Sequence, residues 1–139
     1  MQFKVRDWMV DLIVTIDPEA SVTDALALMR RRYLHSLIVN KSKDSPEYGI
    51  LTSTDISDKI VAQERNPQTT QVFEIMTSPL LTIPSEWTLK KCALKMHENH
   101  IHHLPVVDEQ GNLIGMISAT DFLVAAEAMG RAPGERIPG

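Results

Sequence analysis

The feature that most constrains the fold of this chain is an internal repeat. When the 139-residue sequence is aligned with itself so that Val5 meets Val72, a shift of 67 positions, residues 5–40 match residues 72–107. Roughly a quarter of the aligned positions are identical, against about one in sixteen expected by chance. The identical pairs are Val5 and Val72, Met9 and Met76, Thr15 and Thr82, Ile16 and Ile83, Glu19 and Glu86, Met29 and Met96, His35 and His102, Leu37 and Leu104, and Val39 and Val106.

The match continues beyond a loop that is one residue longer in the first copy. There Gly49 aligns with Gly115, Thr54 with Thr120 and Asp55 with Asp121. A loop accommodates an inserted residue at little cost. We therefore divide the chain into a first repeat (1–62), a linker (63–71), a second repeat (72–129) and a flexible tail rich in Gly and Pro (130–139).

Each repeat carries the same order of sequence patterns. Short apolar runs at residues 14–16 and 81–83 predict brief strands, and the apolar spacing after Ser21 and Thr88 predicts an amphipathic helix in each copy. Continuous apolar runs at 37–39 and 104–107 predict strands that are buried on both faces. A third strand and a closing helix, about 55–64 and 121–129, follow. The pattern predicts an α+β fold of two βαββα repeats.

The turn between the last two strands differs between the copies. Residues 108–112 have the turn chemistry of a hairpin, whereas the first copy has a longer polar loop at 41–48. Because 139 residues is close to the usual size of one domain, we expect the two repeats to share one core and unfold together.

Composition and charge argue against a nucleic-acid-binding protein and a membrane protein. The net charge is -4 and no run of like charge is longer than Arg30-Arg31-Arg32, so no nucleic-acid surface is expected. No apolar stretch approaches the ~20 residues of a membrane span and no leader is visible. The single cysteine, Cys92, is interpreted as a small core residue rather than a nucleophile, and it fits a reducing compartment, so we expect a cytoplasmic protein.

Two helix starts are the candidate sites for chemistry. Thr52 and Ser118 each stand three residues before an aspartate, Asp55 or Asp121. One interpretation is a capping box that satisfies the free N–H groups of the helix. The other is a ligand site, in which the helix start binds a phosphate and the carboxylate accepts hydrogen bonds from a ribose.

These motifs resemble those of a tandem pair of CBS domains (cystathionine β-synthase domains). The resemblance covers about residues 5–125 and depends on Thr15 and Thr82, on the run from His102 to Asp108, and on the endings 49–55 and 115–121. It implies two repeats packed with pseudo-two-fold symmetry and clefts that bind an adenosine nucleotide (AMP, ADP or ATP). The implied function is a non-catalytic regulatory module that forms a homodimer and signals to another protein in trans.

The resemblance also assigns residues to the two clefts. The first cleft, the better candidate, contains Thr15, Ala20, Ser36, Leu37, Ile38, Ser118, Thr120 and Asp121. The second contains Thr52, Thr54, Asp55, Thr82, His102, His103 and Pro105. The homodimer would pair helical faces that carry Ile56, Ile60, Phe122 and Val124. No cofactor is required.

Several alternatives stay open. Trp87 occupies the position that matches Ala20, and it either stacks on a base or fills the pocket. The histidines between His97 and His103 lack the ligand set of a zinc site, so no metal is assigned. The other functional hypotheses are an interaction module without ligand, and a sensor of S-adenosylmethionine or of a metal. No nucleophile with a base, Walker loop or metal motif supports an enzyme.

Overall fold

The structure of the protein, a computed structural model, describes residues 3–131 and divides into two compact units. One unit is Ile13–Leu81, and the other combines the residues up to Leu12 with those from Thr82 onward. Of the expected tail, residues 132–139 lie outside the described part of the chain.

Helices and strands follow the predicted order in both repeats. They are α1 (Val5–Trp8), β1 (Thr15–Ile16), α2 (Val22–Arg32), β2 (Ser36–Val39), β3 (Gly49–Thr52), α3 (Ser53–Asp55), a π-helical turn (Ile56–Val61), a 3-10 turn (Val72–Glu74), β4 (Ile83–Pro84), α4 (Leu89–Asn99), β5 (His103–Val107), β6 (Leu113–Ser118) and α5 (Ala119–Met129).

Each unit contains one three-stranded sheet with the same topology. In the first, β1 pairs in parallel with β2, which pairs antiparallel with β3. In the second, β4 pairs in parallel with β5, which pairs antiparallel with β6. A parallel pair needs a crossover connection, and α2 and α4 provide it. The α+β fold of two βαββα repeats is therefore confirmed.

Local signals explain where the crossover helices begin and end. The Ser21 and Thr88 hydroxyls cap α2 and α4 by accepting the N–H groups of Asp24 and Lys91. Both helices end at a residue in the left-handed conformation. The hairpin predicted at 108–112 is also present: the Asp108 carboxylate accepts two backbone N–H groups of the turn, which lower the pKa of that carboxyl group.

Two elements differ most clearly from their predicted bounds. The first strand of the second repeat is Ile83–Pro84 rather than residues 81–83, and proline is tolerated because β4 is an edge strand. The closing helix of the first repeat begins at Ser53 and continues as the π-helical turn to Val61, rather than running regularly from 55 to 64.

The expectation of one shared core is wrong, because the buried side chains form two clusters. The first repeat packs around Leu37, Val39 and Leu51 together with Val72 and Ile75. The second packs around Leu104, Val106 and Ile117 together with Val5. Val72, Ile75 and Val5 are fully buried. Each cluster thus includes apolar side chains from the beginning of the other repeat.

The segments that contain Val5 and Val72, here called the exchanged segments, are held to the sheets by backbone hydrogen bonds. Val10 and Met116 exchange two N–H···O bonds of 2.9 and 2.8 Å across β6. Ile50 and Thr77 do the same across β3, with two bonds of 2.9 Å. The third strand of each sheet therefore has a partner on its outer edge, which covers backbone groups that would otherwise be unpaired.

Both outer strands carry a glycine where the exchanged segment crosses. A Cβ atom at Gly115 would lie 2.6 Å from the backbone oxygen of Val10 and 3.0 Å from the sulfur of Met9. At Gly49 the nearest atom would be the flexible Met76 sulfur, at 2.7 Å, and the Thr77 backbone oxygen would lie at 3.0 Å. The backbone of the N-terminal segment therefore requires a glycine at position 115.

We expect Gly115→Ala to lower the free energy of unfolding by about 1–3 kcal/mol, because the added methyl group overpacks a backbone contact that cannot rotate away. Gly49→Ala is the matched variant, and it should cost less because the Met76 side chain can move. Urea denaturation of both variants measures the difference. Equal losses would contradict the assignment of the larger cost to the Val10 backbone.

Candidate functional site

The start of α3 is a capping box in which both oxygens of the aspartate have hydrogen-bond partners. Asp55 Oδ2 accepts the backbone N–H of Thr52 at 2.9 Å, and the Thr52 hydroxyl accepts the Asp55 N–H at 3.3 Å. Asp55 Oδ1 accepts a bond of 3.0 Å from Lys59 Nζ, which also donates to the backbone oxygen of Ile75 at 2.8 Å. Only 7% of Asp55 is exposed. Capping and an internal ion pair therefore account for this carboxylate.

The start of α5 has the same geometry but a different carboxylate environment. Asp121 Oδ2 accepts the backbone N–H of Ser118 at 2.8 Å and its hydroxyl at 3.3 Å. Asp121 Oδ1 has no hydrogen-bond or ion-pair partner within residues 3–131. The position four residues later, which holds Lys59 in the first repeat, holds Ala125 here. Asp121 is half-buried, so one carboxylate oxygen remains available for a ligand.

Two hydroxyl groups lie beside that carboxylate. The Ser118 Oγ and Thr120 Oγ1 atoms are 2.7 Å apart, so one hydroxyl donates to the other. Hydroxyls can donate and accept, whereas an ionised carboxylate only accepts. Ser118, Thr120 and Asp121 therefore offer both kinds of hydrogen-bonding group at one helix start.

In each repeat, the backbone oxygen of a histidine accepts a hydrogen bond from the start of the closing helix. The Ala119 N–H donates to the His102 backbone oxygen at 3.0 Å, and the Ser53 N–H donates to the His35 backbone oxygen at 3.0 Å. Any residue could supply that oxygen, so the fold does not explain the imidazole side chains. Both histidines are exposed.

The other residues predicted for the first cleft lie in the unit Ile13–Leu81. Thr15 on β1 pairs in register with Ile38 on β2, so the structure brings these two positions together. Ser36 and Leu37 precede Ile38 on the same strand, and Ala20 lies just before α2. Ser118, Thr120 and Asp121 belong to the other unit.

The residues predicted for the second cleft are also divided between the two units. Thr52, Thr54 and Asp55 lie at the β3–α3 junction. The remaining members precede or lie on strands of the other unit, where Thr82 and His103 are half-buried, His102 is exposed and Pro105 is buried. Sequence reasoning favoured the cleft that contains Asp121, but it missed Lys59, although the spacing of four residues from Asp55 is a standard signal for a helical ion pair.

Trp87 packs against the core of its own unit. Its ring belongs to the partly buried set around the second cluster, and Lys91 Nζ lies 4.2 Å from the ring centroid. The Trp87 backbone oxygen accepts the N–H of Val5 at 2.9 Å. One face of the ring is therefore covered by a cation, and a base could stack on that face only if Lys91 moved.

The histidines and the cysteine of the second repeat are the candidates for a metal site and for a nucleophile. His97, His100 and His102 help to line a cavity of about 330 Å³, but residues 3–131 contain no group of three His, Cys, Asp or Glu side chains placed to hold a metal ion. Cys92 is fully buried, and burial raises the pKa of its thiol to about 11. A thiol with that pKa stays protonated near neutral pH, so Cys92 is not an activated nucleophile.

The comparison with protein families identifies the class. The model of the CBS domain matches residues 5–62 and again residues 72–128. The chain therefore belongs to the CBS-domain family and is a CBS-domain pair, a regulatory module of a family that is generally non-catalytic.

Individual known proteins resemble this chain in sequence and in structure. An uncharacterized protein of Methanopyrus kandleri is 30% identical over 80% of this chain and 56% of its own length, so the chain spans about half of that relative. A hexameric CBS-CP12 protein from bloom-forming cyanobacteria has 31% identity and a TM-score of 0.85, covering 99% of this chain and 74% of that one.

One solved structure of the same fold contains adenosine ligands. The CBS domain pair of protein MJ0100, in complex with 5-methylthioadenosine and S-adenosyl-L-methionine, has a TM-score of 0.78. Its identity is 23%, over 93% of this chain and 99% of that one, so this likeness concerns the fold alone.

Among residues 3–131 no helix has both the length and the apolar character needed to cross a membrane.

Proposed function

We propose that this chain is a non-catalytic regulatory module that binds an adenosine nucleotide, AMP, ADP or ATP, and signals the bound state to a partner protein. Asp121 is the residue assigned to the ribose. The observation that carries the proposal is the available Asp121 Oδ1 atom beside the Ser118 and Thr120 hydroxyls. A carboxylate oxygen next to hydroxyl groups suits the adjacent hydroxyls of a ribose.

The contrast between the repeats supports this choice of site. Lys59 already neutralises Asp55, so a ribose at that carboxylate would have to displace an internal ion pair. Asp121 has no such competitor, because Ala125 replaces the lysine. The proposal therefore assigns the stronger ligand site to Ser118, Thr120 and Asp121 at the start of α5.

Substituting Asp121 tests the proposal. We expect Asp121→Asn to weaken nucleotide binding by roughly tenfold or more, as for the loss of a charge-assisted bond of about 1.5–3 kcal/mol. Stability should fall by only about 1 kcal/mol or less, because the asparagine oxygen can still accept the Ser118 N–H. Isothermal titration calorimetry with AMP, ADP, ATP and a 2′-deoxy nucleotide measures the affinities.

Glu74→Gln is the matched control. Glu74 Oε2 also accepts the backbone N–H of an N-cap residue, Gln71, but Glu74 is outside the proposed site. This variant should bind nucleotide as the wild type does. Equal binding by wild type and Asp121→Asn, or no adenosine binding by the wild type at millimolar concentration, would reject the sensing role and favour an interaction module without ligand.

The alternative ligand is S-adenosylmethionine, which belongs in the same titration series. It shares the adenosine ribose, so its binding should depend on Asp121 in the same way. A metal sensor is less favoured, because the described residues contain no metal-ligating group of three side chains.

We also propose that the module forms a homodimer, on a surface that keeps only Val124 of the predicted face. Ile60 lies in the first core cluster, while Ile56 and Phe122 pack against the cores of their own units. These three side chains therefore do not form the expected exposed face. On α5 the exposed large apolar side chains are Leu123, Val124 and Met129, of which Leu123 and Val124 are adjacent and 71% and 58% exposed. An exposed apolar pair of this kind supports association with a second copy.

A further inference from the structure

The C-terminal end of α2 carries three arginines and a tyrosine that the fold leaves in solvent. Arg30, Arg31 and Arg32 are exposed, and none of them forms a salt bridge within residues 3–131. Tyr33 is 92% exposed. No other described apolar or aromatic residue of comparable size has so little cover. We call Arg30–Tyr33 the basic patch.

The end of the helix does not require this patch, as the second repeat shows. Both α2 and α4 have 11 residues and end in the same way. The Leu34 N–H donates to the Met29 oxygen at 2.8 Å, and the equivalent Ile101 N–H donates to the Met96 oxygen at 3.0 Å. The second repeat makes this ending with His97, Glu98 and Asn99 in place of the three arginines. Helix capping and the helix dipole therefore leave at least two of the arginines unexplained.

Tyr33 is also an unfavourable choice for the backbone. Its φ is 54°, in the left-handed region where glycine or asparagine is preferred. Because the ring contributes almost no burial, packing does not compensate for that conformation. A residue that serves neither the backbone nor the core is a candidate for an interaction with another molecule.

An open groove lies beside the patch. Its volume is about 670 Å³, and its lining is Met29, Arg30, Arg31, Tyr33, Leu34 and His35. The less exposed lining side chains, Met29 and Leu34, are apolar, whereas the exposed ones are cationic or aromatic. The groove therefore fits an apolar side chain that is flanked by negative charges.

We propose that the basic patch and its groove bind an acidic peptide segment of a partner protein, with an apolar side chain placed between carboxylates. Arginine suits this role because its guanidinium group binds a carboxylate through two parallel hydrogen bonds. This inference deepens the proposed signalling role, on which it rests, by assigning the chemistry of the partner.

Charge favours a peptide over a nucleic acid. The whole chain has a net charge of -4, and Arg30-Arg31-Arg32 is its longest run of cations. Proteins that hold a nucleic acid through its backbone often neutralise 6–10 phosphates, which calls for a more extended basic surface. A short acidic segment needs only the local charge of the patch.

The test uses fluorescence anisotropy with a fluorescein-labelled peptide of twelve residues that alternates Glu or Asp with Leu. A second peptide replaces the acids by Gln and Asn, and a single-stranded DNA of twelve nucleotides represents the other class of polyanion. At low salt we expect the acidic peptide to bind, and Arg31→Glu/Arg32→Glu to weaken it at least tenfold. Tyr33→Asn should weaken it severalfold while the fold is kept, because asparagine tolerates the left-handed backbone.

Lys43→Glu/Lys90→Glu is the matched control, because it changes the net charge equally at two exposed lysines without a described ion pair. It should bind the acidic peptide within about twofold of the wild type. Equal weakening by both double variants would show a net-charge effect and overturn the proposal. So would unchanged binding by the arginine variant, equal binding of the neutral peptide, or tighter arginine-dependent binding of the DNA. No nucleotide is present, so failure here and failure of nucleotide sensing are distinguishable.

Discussion

Deletion of residues 1–12 is expected to unfold the second repeat while the unit Ile13–Leu81 stays folded. The deletion removes Val5, which is fully buried in the second cluster, and the partly buried Phe3 and Trp8 that pack against it. It also removes the two bonds between Val10 and Met116. Burial of one large apolar side chain contributes about 1.5–3 kcal/mol, so the total loss approaches the whole stability of a small domain.

Hydrogen exchange followed by mass spectrometry measures this effect segment by segment. In the deletion variant, amides of β5 and β6 should exchange as in an unfolded chain, whereas those of β2 and β3 should stay protected. Arg6→Ala is a control on the same helix, since Arg6 is exposed and its ion pairs are with the surface carboxylates of Asp7 and Glu86. Unchanged protection of β6 after the deletion would contradict the role of the N-terminal segment.

A second large effect is expected from two fragments of the first repeat. Residues 13–81 contain the whole first cluster, including Val72 and Ile75, and the Thr77 backbone that pairs with Ile50. Residues 13–67 lack all three. We therefore expect the longer fragment to melt cooperatively and the shorter one to be unfolded, because it would expose the faces that Val72 and Ile75 cover.

Thermal denaturation followed by circular dichroism distinguishes the fragments. The longer fragment with both Val72 and Ile75 replaced by alanine should have an intermediate melting temperature. In a protein core, Ile→Ala alone costs about 2–5 kcal/mol of stability. A cooperative transition in residues 13–67 at the same temperature as in residues 13–81 would show that the exchanged segment does not complete the core.

The order of elements could be predicted because it is written in local patterns. Apolar periodicity predicts α2 and α4, and the turn residues after Asp108 predict the hairpin. The exchange of segments could not be predicted in this way. Val5 and Val72 are identical in the alignment, so both segments clearly belong to the repeat, but only long-range packing decides which sheet each of them joins.

The candidate site was predictable to a similar degree. The spacing from Ser118 to Asp121 predicts the capping geometry that the structure shows. The difference between the two aspartates depends on the residue one helical turn later, Lys59 or Ala125, and on the backbone oxygen of Ile75 that holds the lysine. A lysine at that spacing could have been noticed, whereas its second anchor comes from a distant part of the sequence.

The exchanged N-terminal segment has a consequence for synthesis of the chain on the ribosome. The unit Ile13–Leu81 is complete in sequence as soon as Leu81 has been added. Phe3, Val5 and Trp8 are made well before Ile117 and Ala125, which belong to the same core. At about 5–20 residues per second, these apolar side chains wait roughly 5 to 20 seconds for their partners. Apolar side chains that are made before the unit Ile13–Leu81 are thus buried after that unit is complete in sequence.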